Sequence, residues 1–120
     1  MPAPNVSVTI FVVGTKRGNP GIIVWPDRIR TRRNKHVFWG VLNTHSQDVK
    51  VSVNGFARVS RASSANPVDF SQGKKTAVIP ANGIGFLKGR VKKNADLGLY
   101  AYKIYIDKRL AQDPELEIEG

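Results

Sequence analysis

GLYAYKIYID at residues 98–107 and DPELEIE at residues 113–119 are the two stretches that decide the fold of this chain. In both of them a large apolar side chain recurs at every second position, which is typical of a β-strand with one buried face. The two stretches therefore predict two antiparallel strands joined by a charged hairpin. The side chains on this parity are predicted to fill a core: Tyr100, Tyr102, Ile104, Ile106, Leu116 and Ile118.

The same period of two recurs earlier in the chain. Apolar residues alternate with polar ones over residues 5–13 and 49–53, which predicts two further strands. Residues 37–43 carry Trp39 on one face and Phe38 on the other, which predicts a strand buried on both sides. Helical spacing is nowhere sustained over the roughly 11 residues that a helix assignment needs.

Turn-forming residues separate these segments. The dipeptides Asn54-Gly55 and Asn82-Gly83 predict tight turns, and residues 60–75, rich in Ser, Ala, Asn and Pro, predict a long connection. The sequence therefore predicts an all-β chain, with one antiparallel β-sandwich domain of about seven to nine strands over residues 1–120.

Charge is distributed unevenly along the chain. Nineteen Lys and Arg residues oppose nine Asp and Glu residues, a net charge of +10 at pH 7, and four of the nine acids fall in the last eight positions. A basic body of this kind attracts anions such as nucleic acid, anionic lipid or an acidic protein surface. The acidic last strand can instead neutralise the basic body of its own or of a neighbouring subunit.

The chain contains no cysteine. Disulfides, thiolate nucleophiles and sulfur ligands for zinc, iron–sulfur or copper centres are therefore excluded. No stretch approaches the roughly 18 apolar residues of a membrane span, and the first residues lack the charged and apolar regions of a secretion signal. We expect no membrane span and no cofactor, and the sequence leaves the cellular location open.

Several short motifs occur together in one order: PDRI at 26–29, VFWGVLN at 37–43, VKV at 49–51, GLYAY at 98–102 and DPELEI at 113–118. With these motifs the chain resembles the cupredoxin-like β-sandwich family, and in particular small members that lack copper ligands. The resemblance implies a cupredoxin-like sandwich. An immunoglobulin-like arrangement, which has similar strands and alternation, stays the alternative.

The copper ligands of that family have no counterpart in this sequence. A blue-copper site needs two imidazoles and a thiolate, and in the family the thiolate and one histidine follow the Gly-x-Tyr strand. Here residues 104–107 offer Asp107 alone. The two histidines, His36 and His45, are predicted to be exposed at opposite ends of the Trp39 strand. We therefore expect a metal-free protein.

A basic stripe is the main candidate binding site. Arg28, Arg30 and Arg32 recur at every second position, which places them on one face of a strand over about 13 Å. Arg33 and Lys35 add charge in the following turn. The stripe has three interpretations: a solvated face that discourages strand pairing, a contact with a protein or an acidic strand, and a site for nucleic acid or another polyanion.

The last strand supplies a candidate acidic partner strand, whose carboxylates share one parity. One hypothesis is self-association, in which this strand of one subunit meets the basic stripe of another. A second basic row on a later strand favours a general cationic surface over one focused site. The acidic residues are Asp113, Glu115, Glu117 and Glu119, and the second basic row is Lys88, Arg90 and Lys92.

No catalytic motif accompanies these residues. Neither histidine lies in a recognisable nucleophile motif, so the sequence gives no reason to expect an enzyme. It predicts a non-catalytic, metal-free β-sandwich that acts as a binding or assembly module, with another protein or a second copy as its partner. The alternative is binding of a polyanion, nucleic acid or acidic polysaccharide, through the residues from Arg28 to Lys35.

Overall fold

Eleven β-strands build the protein in a computed structural model that describes residues 5–14, 20–59 and 66–120. Residues 60–65 of the predicted long connection lie outside the described residues, and its remainder contains a short strand and a 3₁₀ turn (Ser71–Gly73). The strands are β1 (Val6–Val13), β2 (Gly21–Trp25), β3 (Arg28–Arg32), β4 (His36–Asn43), β5 (Val49–Arg58), β6 (Val68–Phe70), β7 (Thr76–Ile79), β8 (Ile84–Val91), β9 (Gly98–Ile106), β10 (Arg109–Gln112) and β11 (Glu115–Glu119).

The strands form two sheets. The first is five-stranded, with the order β2–β1–β4–β8–β6. The second is six-stranded, with the order β3–β11–β9–β5–β7, and β10 also pairs with β9. Among the described residues no helix has the length and apolar character that crossing a membrane requires. The all-β prediction is confirmed.

Both sheets are mixed, whereas the sequence predicted purely antiparallel pairing. β1 runs parallel to β4, and β3 runs parallel to β11. Neither pair is consecutive in the chain, so no hairpin forces the two strands to run in opposite directions. Alternation of side chains defines the two faces of a strand but carries no information on the direction of its neighbour, which is why the sequence did not reveal these pairs.

A single apolar core lies between the two sheets. It contains the whole predicted parity of β9 and β11, since Tyr100, Tyr102, Ile104, Ile106, Leu116 and Ile118 are all at most 1% exposed. Trp39 of β4 is fully buried among them. The prediction that β4 is buried on both faces is wrong, because Phe38 is only half-buried and Leu42 is exposed.

Two further details differ from the sequence prediction. Asn54-Gly55 is not a hairpin turn but lies within β5, where the register with β9 shifts between Asn54 and Ala57 and Gly55 has a φ of 69°. This is a β-bulge, in which one strand carries an extra residue.

The strand number exceeds the predicted seven to nine because short strands such as β6 and β10 occur in segments without sustained alternation. The turn at Asn82-Gly83 is confirmed by the Gly83 N–H that donates to the Pro80 carbonyl at 3.0 Å.

Candidate binding surfaces

The basic stripe and the acidic strand lie side by side in the same molecule. β3 and β11 are parallel neighbours in one sheet, and Ile29 and Leu116 both turn into the core. Because side chains alternate across a strand, the charged residues of both strands project from the outer face. The register places Arg28 beside Glu115, Arg30 beside Glu117 and Arg32 beside Glu119. We call these six residues the charge ladder.

Ion pairs connect the two rows of the charge ladder. The Arg30 Nε lies 3.1 Å from Glu117 Oε2 and 3.9 Å from Glu119 Oε1, and Arg28 Nη2 lies 3.8 Å from Glu117 Oε1. Three cations thus face three anions on one surface, which weakens the field that the stripe presents to a distant polyanion. The structure brings the acidic strand to the stripe of its own chain, and self-association through these two strands would have to displace that pairing.

The remaining residues of the two predicted sites lie outside the charge ladder. Arg33 follows β3 in a turn, where its Nε donates a hydrogen bond to the Ala95 carbonyl at 2.7 Å. Lys35 belongs to the same turn and is half-buried. Asp113 precedes β11 and is exposed. Arg33 therefore fixes the turn after β3 to a neighbouring loop, and its position does not extend the stripe.

The second basic row has one ion pair among the described residues, between Lys92 Nζ and Asp69 Oδ1 at 3.8 Å. Lys88 and Arg90 point outward from β8, and Arg90 lies opposite His36 of β4 and Asp69 of β6. The Lys88 ammonium sits 5.6 Å from the centre of the Phe38 ring, a cation–π contact. These groups border a shallow pocket of about 300 Å³ with one carboxylate, Asp69. The basic row on β8 thus has less local compensation than the charge ladder.

The largest feature that sequence reasoning missed is an apolar outer face on the five-stranded sheet. Five of the nine large hydrophobic side chains exposed among the described residues belong to this sheet: Ile84 (74%), Trp25 (71%), Phe86 (68%), Ile23 (56%) and Leu42 (37%). Each lies on the parity opposite to that of the core residues of its strand. We call these five residues, together with the half-buried Phe11, the apolar face.

The register between neighbouring strands arranges the residues of the apolar face in two rows. One row runs across four strands, through Ile23, Phe11, Leu42 and Ile84. The second row has Trp25 and Phe86 at its ends, with Thr9 and Gly40 between them. These ends are three strand spacings apart, about 14 Å. A Cβ added at Gly40 would meet no atom within 4 Å, so the middle of this row is an open trough.

One sequence signal could have revealed the apolar face. In β8 the outward parity carries Ile84 and Phe86 in line with Lys88 and Arg90. A strand with one buried face normally exposes polar side chains on its other face. Apolar residues on the same face as charged residues are therefore unusual. The same holds for Trp25, two residues before the solvent-exposed Asp27-Arg28 segment.

The described residues with metal-ligating side chains do not converge. Among residues 5–14, 20–59 and 66–120, no group of three or more His, Cys, Asp or Glu side chains could hold a metal ion. A blue-copper centre needs a thiolate and two imidazoles, and the chain has no cysteine. His36 begins β4 and His45 lies in the loop two residues beyond its last residue, Asn43, so the length of the strand, about 23 Å, separates the two histidines. These residues do not fit a copper centre.

His45 itself differs from its prediction. It is 8% exposed and packs against Gly14, whereas the sequence predicted an exposed loop residue. The Asn43 side chain holds this loop in place: its amide donates to the Gln47 and Pro80 carbonyls at 2.9 and 3.0 Å, and its oxygen accepts the His45 N–H at 2.9 Å. Burial of His45 is thus a consequence of loop packing.

No protein-family model matches the chain, and no curated protein matches it. Solved structures do match. The chain is similar to a Cu-containing nitrite reductase from Thermus scotoductus, with 13% identity and a TM-score of 0.57 over 98% of this chain and 31% of that chain. It is similar to a multicopper oxidase, with 11% identity and a TM-score of 0.52 over 98% of this chain and 45% of that chain.

A third similar structure is the CsuC–CsuE chaperone–tip adhesion subunit pre-assembly complex from archaic chaperone-usher Csu pili of Acinetobacter baumannii. It has 18% identity and a TM-score of 0.55 over 82% of this chain and 56% of that chain. The chain thus spans between 31% and 56% of the length of these three structures. At such identities the likeness shows the fold alone. The fold is a cupredoxin-like β-sandwich, as the sequence motifs predicted.

Proposed function

We propose that this protein is a non-catalytic module that binds another protein through the apolar face. The observation that carries the proposal is the exposure of Trp25, Phe86 and Ile84 at 71%, 68% and 74% on one continuous sheet surface. Soluble monomers seldom expose large contiguous apolar patches, and such patches mark interaction sites. Aromatic side chains are also enriched in the cores of protein interfaces.

The energetics of burial support a protein partner. Covering one large apolar side chain contributes about 1.5–3 kcal/mol, and the register places several residues of the apolar face on one sheet surface, where one partner can cover them together. Gly40 keeps the trough between Trp25 and Phe86 open, so a protruding apolar side chain of the partner fits there. Buried aromatic anchors of this kind dominate binding energy at protein interfaces.

Among the described residues no three His, Asp, Glu or Cys side chains converge on a metal-binding position, and we assign this module no catalytic role. Burial in the core raises the pKa of Tyr102 to about 12, whereas perturbed groups with a catalytic role lie in clefts. One structural neighbour is named as a complex between a chaperone and a tip adhesion subunit. A β-sandwich similar to this chain therefore occurs in a complex between proteins, and we extend that general role to this chain.

Site-specific photo-crosslinking tests the proposal. The full chain carries a benzoylphenylalanine in place of Trp25, Phe86 or Tyr105 and is irradiated in an extract of the organism that encodes it. Tyr105 is the matched control, because it is an aromatic residue on the outer face of the other sheet. We expect positions 25 and 86 to capture the same protein and position 105 not to capture it. Capture at position 105 alone would contradict the proposal.

A further inference from the structure

Strand β8 has a second edge that is only partly covered. On one side β8 pairs with β4 from Ile84 to Arg90. On the other side the three residues of β6 pair with Gly89, Arg90 and Val91. Among the described residues no strand pairs with Ile84–Leu87 on that second side. An exposed strand edge is a template for another extended chain.

The hydrogen-bond pattern shows which backbone groups the free edge presents. The Asn43 N–H donates to the Gly83 carbonyl at 2.8 Å, and the Val91 N–H donates to the Lys35 carbonyl at 2.9 Å. In an antiparallel ladder the residues that bond the neighbour alternate, so the odd-numbered residues of β8 bond β4. The N–H and carbonyl groups of Ile84 and Phe86 therefore point to the free side. Within the described part of the chain no other backbone group bonds to them there.

A slot lies along this edge, between β8 and the neighbouring edge of the other sheet. It has a volume of about 280 Å³, and its lining includes Thr76, Ala77, Phe86 and Leu87. At one end Gly85 lets the two sheets close together, since a Cβ there would lie 2.5 Å from Ile79 Cδ1. Side chains of an added strand can enter the slot from the edge, as pockets beside an edge do in strand addition.

Charge identifies the kind of segment that fits. Lys74 and Lys88 line the slot, and no carboxylate lines it among the described residues. A second copy of this chain carries a net charge of +10 and brings further cations to the same place. Its one acidic strand, β11, already has both edges paired, to β3 and to β9. A copy of the chain is therefore disfavoured on both grounds, and an acidic segment of a different protein is complementary.

We propose that the partner adds an extended, acidic and apolar segment as a sixth strand to the free edge of β8 at Ile84–Leu87. This inference rests on the proposed function and names the part of the partner that binds. The apolar side chains of the segment cover Ile84 and Phe86 on the outer face of the sheet. Its carboxylates, which lie on the opposite parity, face the slot, where they meet Lys74. The Ile84 and Phe86 backbone groups supply four hydrogen bonds, two donated and two accepted.

A peptide of sequence Glu-Val-Glu-Val-Glu-Val, acetylated and amidated at its ends, is the probe. Amide hydrogen exchange of the full chain, followed by NMR, reports on the edge residue by residue. We expect the peptide to slow exchange at the Ile84 and Phe86 amides by about tenfold at saturation. The matched peptide Lys-Val-Lys-Val-Lys-Val is expected to bind about tenfold more weakly, which corresponds to about 1.4 kcal/mol.

Two pairs of variants locate the peptide. Lys74→Glu is expected to weaken binding about tenfold, whereas Lys75→Glu makes the same change in net charge one residue outside the slot and is expected to have little effect. Phe86→Pro removes a donor that faces the free edge and leaves the bonds to β4 intact, so it is expected to abolish protection at Ile84. Phe86→Ser removes the same side chain but keeps the backbone N–H donor. Comparing the two variants therefore separates the effect of the side chain from the effect of the donor.

Three outcomes would overturn strand addition. The first is equal binding of both peptides, and the second is peptide binding without protection at Ile84 and Phe86. The third is protection at these amides in the protein alone that increases with protein concentration, which would assign the edge to a second copy. The proposed function is tested separately by Trp25, which lies on the far side of the apolar face. One result would support the apolar face as the binding surface and contradict strand addition. It is loss of partner binding in Trp25→Ser together with the same partner affinity in Phe86→Pro as in Phe86→Ser.

Discussion

Trp39 and Tyr102 connect the two sheets through the centre of the core. The indole N–H of Trp39, in β4, donates a hydrogen bond to the Tyr102 hydroxyl, in β9, at 3.2 Å. Both side chains are at most 1% exposed, and the Tyr102 ring also stacks on Phe56 with 5.2 Å between ring centres. A polar pair buried this deeply is costly to break, because water cannot replace the lost partner.

Replacing Tyr102 by Phe is expected to lower the free energy of unfolding by about 1–2 kcal/mol. The ring and its packing remain, while the buried Trp39 N–H loses its acceptor. Urea denaturation followed by Trp fluorescence measures the change. Tyr105→Phe, which alters a tyrosine at the surface of the same strand, serves as control and is expected to change stability by less than about 0.5 kcal/mol. An equal effect of both substitutions would contradict the role of the Trp39 pair.

Stability is expected to fall at alkaline pH because of Tyr102. Burial raises its pKa from 10.0 to about 12, so the folded state holds the phenol proton more tightly than the unfolded state does. The stabilisation is complete below pH 10 and is lost as the pH rises towards 12. Denaturation at several pH values measures the slope, which Tyr102→Phe is expected to reduce. Tyr100, whose pKa burial also raises, leaves part of the slope in the variant.

The charge ladder is expected to make a small, salt-sensitive contribution to stability. Glu117 contacts both Arg28 and Arg30, and exposed pairs of this kind contribute about 0.2–1 kcal/mol each. Glu117→Gln is therefore expected to destabilise the protein by about 1 kcal/mol in dilute buffer and by much less in about 1 M salt, where the Debye length is about 3 Å. An effect that does not depend on salt would show that packing, and not charge, joins β3 to β11.

Retention on heparin is expected to depend on β8 more than on β3. The double variant Lys88→Ser/Arg90→Ser and the double variant Arg28→Ser/Arg32→Ser remove the same charge. The arginines of β3 lie beside glutamates, whereas the β8 row has one carboxylate, Asp69, near it. The β8 variant is therefore expected to elute at lower salt. Earlier elution of the β3 variant would instead favour the alternative that the sequence left open, a polyanion site at Arg28 to Lys35.

Alternation predicted the main strands of the sandwich and the core residues of its last two long strands. Tyr100, Ile104 and Leu116 are buried because a strand places every second side chain on the same face. The same pattern could not predict that β11 lies beside β3, since the two strands are separated by some eighty residues and no local signal specifies a parallel neighbour. The charges of β3 and β11 were recognised, but their pairing within one chain is a property of topology.

The apolar face could be predicted only in part. Ile84 and Phe86 lie on the same face of β8 as Lys88, and the alternation in the sequence predicts this. Trp25 and Ile84, in contrast, come from strands at opposite ends of the face, and only the order β2–β1–β4–β8 brings them onto one surface. Exposure of an aromatic residue also depends on the absence of a covering element, which a single sequence does not reveal.

The affinity of the crosslinked partner, produced as a pure protein, tests the central claim most directly. Calorimetry compares the Kd of the unaltered chain with those of Trp25→Ser, Phe86→Ser and the control Tyr105→Ser, each first shown to be folded by thermal denaturation. Binding through the apolar face predicts that Trp25→Ser and Phe86→Ser each raise the Kd about tenfold or more, and that Tyr105→Ser changes it less than about twofold. An unchanged Kd in both of the first two variants would contradict the account.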